Sequence, residues 1–167
     1  NNITTTTGDD TIVSAGGDDV ISAGEGLNDI TAGDGLNTIT AGDAKDIVST
    51  GTDKDIISVG DGDNTITASD GDNTITATAG ADLITSGTGN DLIDAGAGDN
   101  DINAGAGNND ITTTTGADTI VSAGGDDVIN AGAGLNTITA GDGANTITTG
   151  ADKDIITSGS GKDIITA

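Results

Sequence analysis

The chain has 167 residues and a net charge of −24, from 28 acidic side chains against four lysines, and it contains 29 glycines but no Phe, Trp, Tyr, Met, Cys, Pro or His. So acidic a chain is excluded as a nucleic-acid binder, because phosphate contacts need a basic face, and it is disfavoured at anionic membranes. No apolar run reaches membrane-spanning length. The charge favours cations as partners, because a compact state must offset its own repulsion.

An isoleucine recurs every nine residues from Ile3 to Ile165, and only Val48 replaces it. A strict short period predicts a solenoid, in which each unit forms one rung and the rungs stack. A thin core of stacked aliphatic side chains needs no aromatic residues. Helices are disfavoured because Gly, Thr, Asn and Asp are poor helix formers.

The repeating unit is well represented by residues 32–40, Ala-Gly-Asp-Gly-Leu-Asn-Thr-Ile-Thr, which we number as positions 1 to 9. Glycines at positions 2 and 4 suit a tight turn of about six residues. The last three positions predict a short strand with isoleucine inward and threonine outward. Position 6 is Asp or Asn in every unit. Low hydropathy and high charge are also typical of disordered chains, but the unbroken period indicates that this chain orders under some condition.

The unit resembles the RTX nonapeptide, G-G-x-G-x-D-x-U-x, most clearly at residues 87–93 and 96–102. The resemblance covers the whole chain. It implies an all-β, right-handed parallel β-roll (a β-solenoid) of about nine coils. Each coil would hold two nine-residue half-coils, 18 residues in all, and several Ca²⁺ ions would bind in the turns. The implied metal ligands at position 6 are Asp10, Asp19, Asp46, Asp55, Asp82, Asp91, Asp118, Asp127, Asp154 and Asp163.

Asparagine at position 6 departs from the RTX pattern, and the identities change in pairs: two Asp units, then two Asn units. If one pair forms one coil, Asp coils alternate with Asn coils, and like charges lie about 9.6 Å apart instead of about 4.8 Å. Duplication of a 36-residue unit also explains the pairing, and a four-sided 36-residue coil would stack Asp on Asp. As neutral, weaker candidate ligands we include Asn28, Asn37, Asn64, Asn73, Asn100, Asn109, Asn136 and Asn145.

The predicted function is that of a calcium-stabilised structural or adhesive module, secreted or on the bacterial cell surface. It is not an enzyme, since the repeats offer no His, Cys or singular site. One alternative is an ice-binding solenoid that uses outward pairs such as Thr38 and Thr40. Another is a metal-free fibre held by Asp–Asn ladders. Neither end has a polar cap, and Asn1 is not a native start. We therefore expect one solenoid over residues 1–167, which is either a segment of a longer protein or a unit that stacks end to end into a filament.

Overall fold

Each nine-residue unit forms one short strand and one turn in the computed structural model, which describes residues 1–167. There are 19 strands and no helix. The strands are β1 (Asn2–Thr4), β2 (Thr11–Val13), β3 (Val20–Gly24), β4 (Asp29–Gly33), β5 (Thr38–Ala41), β6 (Ile47–Thr50), β7 (Ile56–Ser58), β8 (Thr65–Thr67), β9 (Thr74–Thr76), β10 (Leu83–Thr85), β11 (Leu92–Gly96), β12 (Asp101–Ala106), β13 (Asp110–Thr113), β14 (Thr119–Gly124), β15 (Val128–Asn130), β16 (Thr137–Gly141), β17 (Thr146–Thr148), β18 (Ile155–Ser158) and β19 (Ile164–Thr166).

Successive strands belong to opposite sheets. The ten odd-numbered strands form one parallel sheet, and the nine even-numbered strands form the other. Each strand pairs with the strand 18 residues away, so Ile84 is aligned with Ile66 on one side and with Ile102 on the other. This register confirms the 18-residue coil and the β-solenoid of about nine coils. It also excludes the 36-residue, four-sided coil.

Three ladders of side chains face the interior between the sheets. The position-8 ladder is the predicted one, and its inner members, such as Ile84 and Ile102, are fully buried. Burying each isoleucine is worth roughly 1.5–3 kcal/mol relative to exposure. Position 1 forms a second buried ladder of small residues, for example Ala95 and Ala104. Position 6 forms the third. The predicted thin core of stacked aliphatic side chains is therefore incomplete, because ladders of small and polar side chains fill the space beside the isoleucines.

The outer faces of both sheets carry positions 7 and 9. Threonine pairs face solvent there, as expected, in strands such as β5 and β17. The ten-stranded sheet also exposes an aliphatic residue at every second strand, which are Val20, Ile56, Leu92, Val128 and Ile164. These residues belong to the Asp coils. No helix of the structure is long and apolar enough to cross a membrane.

Close stacking of the turns explains the glycine at position 4. Gly62 has φ +134°, and a Cβ atom there would lie 2.3 Å from the carbonyl oxygen of Ala44, one coil earlier. Ala44 and Asp53 occupy the same position in their own units, with φ of 109° and 95°. These two residues therefore hold a backbone conformation that an L-residue rarely adopts.

Candidate metal sites in the turns

Position 6 lies at the edge of the core, where each turn enters its strand. Asn28, Asp46, Asn64 and Asp82 follow one another along one edge of the roll, and all four are buried. The backbone N–H of Asn28 donates to Oδ1 of Asp46, that of Asp46 to Oδ1 of Asn64, and that of Asn64 to Oδ1 of Asp82, each at 2.9 Å. One side-chain oxygen of each residue is thus used to tie its coil to the previous coil.

The same bond runs along both edges of the roll without a break. On the edge that begins at Asp10, the donor–acceptor distances lie between 2.9 and 3.3 Å. On the edge that begins at Asp19, they lie between 2.8 and 3.2 Å. Every predicted position-6 residue, aspartate or asparagine, belongs to one of these two ladders.

The identities alternate along each ladder, as the pairing in the sequence predicted. Asn64 separates Asp46 from Asp82, and Asn73 separates Asp55 from Asp91. Neighbouring carboxylates on one edge are therefore two coils apart, about 9.6 Å at the usual strand spacing. In a buried setting this spacing matters, because like charges one coil apart would repel much more strongly.

Asparagine and aspartate differ in what the second branch of the side chain does. Nδ2 of Asn64 donates to the carbonyl oxygens of Gly60 at 3.3 Å and Gly62 at 2.9 Å, which are positions 2 and 4 of its own turn. Each of the seven other candidate asparagines donates to at least one of the same two carbonyls. The asparagine amide therefore closes its own turn.

Aspartate has an acceptor, Oδ2, where asparagine has this donor. Oδ2 is buried and has no hydrogen-bond partner in six aspartates, which are Asp10, Asp46, Asp55, Asp82, Asp127 and Asp154. In three others a hydroxyl group at position 1 of the same turn donates to it. Ser86 donates to Asp91 at 2.7 Å, Thr113 donates to Asp118 at 2.6 Å, and Ser14 donates to Asp19.

The sequence analysis assigned no role to position 1, whose hydroxyl groups donate to three ladder aspartates, although its pattern is visible in the sequence. The residue five places before each position-6 asparagine is Ala or, once, Val59. The residue five places before each aspartate is Ser or Thr, except for Ala41 before Asp46 and Ala77 before Asp82. A hydroxyl group thus accompanies eight of the ten ladder aspartates and none of the eight candidate asparagines. The sequence signal is therefore that Ser or Thr at position 1 occurs with Asp five residues later, and Ala or Val with Asn.

Burial controls the ionisation of the inner aspartates. Loss of hydration raises the pKa of Asp46 and of Asp82, and the hydrogen bonds that Asn28 and Asn64, respectively, donate to them have a smaller opposing effect. Burial likewise raises the pKa of Asp91, while the hydroxyl of Ser86 acts in the opposite direction. Metal-free, these carboxylates are in an environment that disfavours their charge, and a cation would reverse this preference.

The acidic residues at position 3 lie outside the core. Oδ1 of Asp34 accepts the backbone N–H of Thr52 at 2.8 Å, and Oδ1 of Asp43 accepts that of Asp61 at 3.0 Å. They are exposed and form an outer ladder between neighbouring turns. The one ion pair in the structure joins the N-terminal ammonium to Asp19 at 2.6 Å, so none of the lysines is paired with a carboxylate.

The residues present in the Asp turns fit calcium. No three acidic side chains converge on one point, so a turn supplies one ladder carboxylate and not a carboxylate cluster. Calcium takes six to eight oxygen ligands and accepts backbone carbonyls and water among them. An unpartnered Oδ2, on the side-chain branch that in asparagine reaches the carbonyls of positions 2 and 4, can combine with such carbonyls in a donor set of this kind. Histidine and cysteine, which zinc prefers, do not occur in the chain.

Comparison with known proteins gives a family match along almost the whole chain. The model of the RTX calcium-binding nonapeptide repeat (4 copies) matches residues 1–29, 24–57, 49–84, 58–93, 76–111, 103–138 and 133–165. Neither the curated proteins nor the solved structures give a match. RTX nonapeptide repeats bind Ca²⁺ in their turns. On the repeat pattern, the 18-residue coil and this match, the chain belongs to the family of RTX calcium-binding nonapeptide repeats.

Proposed function

We propose that the chain is a structural repeat module that works outside the cell and is stabilised by calcium bound at its aspartate turns. The observation that carries the proposal is the row of buried aspartate Oδ2 atoms without hydrogen-bond partners. A buried acceptor without a partner costs about 1–3 kcal/mol, and more when it is charged. A cation in the turn removes this cost.

Calcium would be held by the ladder aspartate of a turn and by backbone carbonyl oxygens around it. For Asp46 the carbonyls at positions 2 and 4 belong to Gly42 and Ala44, the counterparts of those that accept the amide of Asn64. When bound, the ion supplies positive charge, and each ion offsets two of the 24 net negative charges of the chain. The residues of the chain hold the coil register through the Oδ1 ladder.

The energetics of this arrangement support the proposed extracellular location. Without metal, a chain with this charge and these buried carboxylates is poorly stabilised, and ligand-linked folding makes it ordered where calcium is abundant. Extracellular calcium modules have affinities in the range of about 10⁻⁴–10⁻³ M. We therefore expect the chain to be unfolded at low calcium and to fold when it meets calcium outside the cell.

The proposed spacer or adhesive role is supported by the stacking of the coils along one axis. The RTX roll is a structural calcium-binding fold that is generally not enzymatic. The outermost strands of each sheet have an unpaired edge, and an unpaired strand edge can pair with a strand of a second copy of the chain. Electron microscopy in calcium tests this part, since end-to-end assembly gives filaments and a separate spacer gives isolated rods.

The outward threonines support no second function. Thr-Ile-Thr strands such as β5 and β9 are separated on their sheet by β7, whose outward position 7 is Ile56. The threonine array is therefore interrupted at every second coil. We propose no ice-binding role from it.

Circular dichroism of the full chain during a calcium titration, followed by addition of a chelator, tests the proposed function. We expect a β-sheet signal that grows with calcium and is lost on chelation. A full sheet signal in chelator, unchanged by calcium, would contradict calcium-stabilised folding and would favour a metal-free fibre.

A further inference from the structure

Some turns contain a hydrogen-bond donor, an asparagine amide or a position-1 hydroxyl, that can take the place of a bound cation, and others contain none. The inference drawn from this difference rests on the proposed function. We infer that calcium is confined to the aspartate coils, and that the turns of Asp46 and Asp82 are its tightest sites. Three classes of turn lead to this assignment: turns closed by an amide, turns with a hydroxyl at position 1, and turns with neither.

In the asparagine turns, the amide nitrogen contacts the same backbone carbonyls that would bind the cation in an aspartate turn. Nδ2 of Asn28 donates to the carbonyls of Gly24 at 3.2 Å and Gly26 at 2.9 Å. Its Oδ1 accepts the backbone N–H of Asp10 at 3.3 Å, so both branches of the side chain are occupied. Carbonyl oxygens that already accept a hydrogen bond from this N–H group gain less free energy from binding a metal ion. The turn also lacks the negative charge that would favour one.

Position 1 carries a hydroxyl group in eight aspartate turns, and in three of them this hydroxyl donates to Oδ2 of the ladder carboxylate. The bond from Ser86 to Oδ2 of Asp91, at 2.7 Å, is an example. A hydroxyl donor stabilises the carboxylate without metal, at a value typical of hydrogen bonds to charged groups. Calcium has to compete with this bond, so its net gain in such a turn is smaller.

Asp46 and Asp82 have neither substitute. Both are buried, both have an unpartnered Oδ2, and position 1 of their turns is Ala41 and Ala77. The acids Glu25 and Asp63 lie close enough to Asp46 and Asp82, respectively, to add negative charge around them. Oδ1 of each accepts hydrogen bonds from the ladder asparagine one coil earlier, but no group donates to Oδ2 and position 1 offers no hydroxyl. These carboxylates therefore gain most from a bound cation. Asn64 separates the two sites along the same edge.

Calorimetric titration of the full chain with CaCl₂, together with circular dichroism in chelator, tests the assignment. We expect the wild-type chain to bind no more than ten ions, one for each ladder aspartate. The double variant D46N/D82N should lose the two tightest ions and keep more sheet signal in chelator, because the new amides close both turns. The variant D72N/D126N is the charge-matched control, since Asp72 and Asp126 are exposed and lie outside the inner ladder. It should keep the tightest ions.

Two further variants separate ligand loss from a structural effect. A41S/A77S keeps both carboxylates and adds the hydroxyl that other Asp turns have, so the two tightest ions should bind about tenfold more weakly. N64D places three aspartates in succession on one edge. It should lower the sheet signal in chelator and add one bound ion.

The outcomes distinguish the inference from the proposed function. If the wild-type chain bound no calcium, the proposed function would fail, and the inference with it. If it bound calcium while D46N/D82N and A41S/A77S both kept the wild-type stoichiometry and affinities, only the inference would be overturned. Binding of one ion at every turn, asparagine turns included, would also overturn it. If D46N/D82N did not fold, the affinity measured for A41S/A77S would decide.

Discussion

The backbone N–H of Asp82 donates to Oδ1 of Asn100, one coil further along the roll, at 3.0 Å. Nδ2 of the same asparagine donates to the carbonyl of Gly98 at 3.0 Å. A single buried side chain therefore joins two coils and closes one turn. The bond between coils is repeated at each step along both edges, whereas the bond that closes the turn occurs only at the asparagine steps.

Replacing Asn100 with alanine should lower the free energy of unfolding in saturating calcium by about 2–3 kcal/mol, because the N–H of Asp82 and the carbonyl of Gly98 lose their buried partner. Urea denaturation followed by circular dichroism measures this change. Asn108 is the matched control, since its Oδ1 accepts the N–H of Asp126 at 2.8 Å but the side chain is exposed. N108A should cost less than about 0.5 kcal/mol. An equal loss in the free energy of unfolding for N100A and N108A would contradict the conclusion that the buried ladder stabilises the roll.

Replacing Ile84 with alanine should destabilise the roll by about 2–5 kcal/mol, because a fully buried side chain is removed between two aligned isoleucines. Leu83 is its neighbour in the chain but is 47% exposed on the outer face of the sheet. L83A should change stability by less than about 0.5 kcal/mol. Thermal unfolding in calcium measures both. A larger loss for L83A than for I84A would mean that the inward and outward faces are assigned wrongly.

Replacing Ala44 with glycine should stabilise the roll by about 1 kcal/mol, because φ of 109° is costly for alanine and free of strain for glycine. The reciprocal change G62A should destabilise it by about 2 kcal/mol or more. There the new Cβ would meet the carbonyl oxygen of Ala44 at 2.3 Å and the residue would hold φ +134°. Urea denaturation of the two variants should move the midpoint in opposite directions, and a shift in the same direction would contradict this account of the turn.

The metal-free roll should become more stable as the pH falls. Burial raises the pKa of Asp46, Asp55, Asp82, Asp91 and Asp127. The folded state therefore binds protons more readily than the unfolded state. Their contribution is fully present below the ordinary carboxyl pKa and is lost as the pH rises through the raised values.

Other acids act in the opposite direction, and they include three ladder aspartates near the ends of the roll, Asp19, Asp154 and Asp163, whose pKa is lowered mainly by hydrogen bonds. Some exposed acids do the same. Hydrogen bonds from Thr88 lower the pKa of Asp70, and hydrogen bonds from Ser160 lower that of Asp142. Their stabilisation is lost as the pH falls through these lowered values, but solvent screens them and the contribution is small. Melting curves in chelator should show a higher Tm at acidic than at neutral pH. A Tm that fell steadily on acidification would contradict the assignment of the inner aspartates.

The repeat period determined most of the fold without any tertiary information. A period of nine with isoleucine in phase predicts stacked units, and the paired identities at position 6 agree with the two units per coil that the resemblance to RTX nonapeptides implies. The position-6 residues were identified as the polar feature of each turn because no unit lacks them. These conclusions follow from local preference and repetition, which a linear sequence displays directly.

Only the tertiary structure decided what the position-6 side chains do. Residues 18 apart become neighbours when the coils stack, so the use of Oδ1 by a backbone N–H of the previous coil is not local. The contact of a position-1 hydroxyl with Oδ2 depends on the path of the turn, which turns both side chains into the core. The sequence by itself determined that the units stack and where their polar residues lie. Stacking decided which polar atoms have a hydrogen-bond partner and which have none, because that depends on groups one coil away.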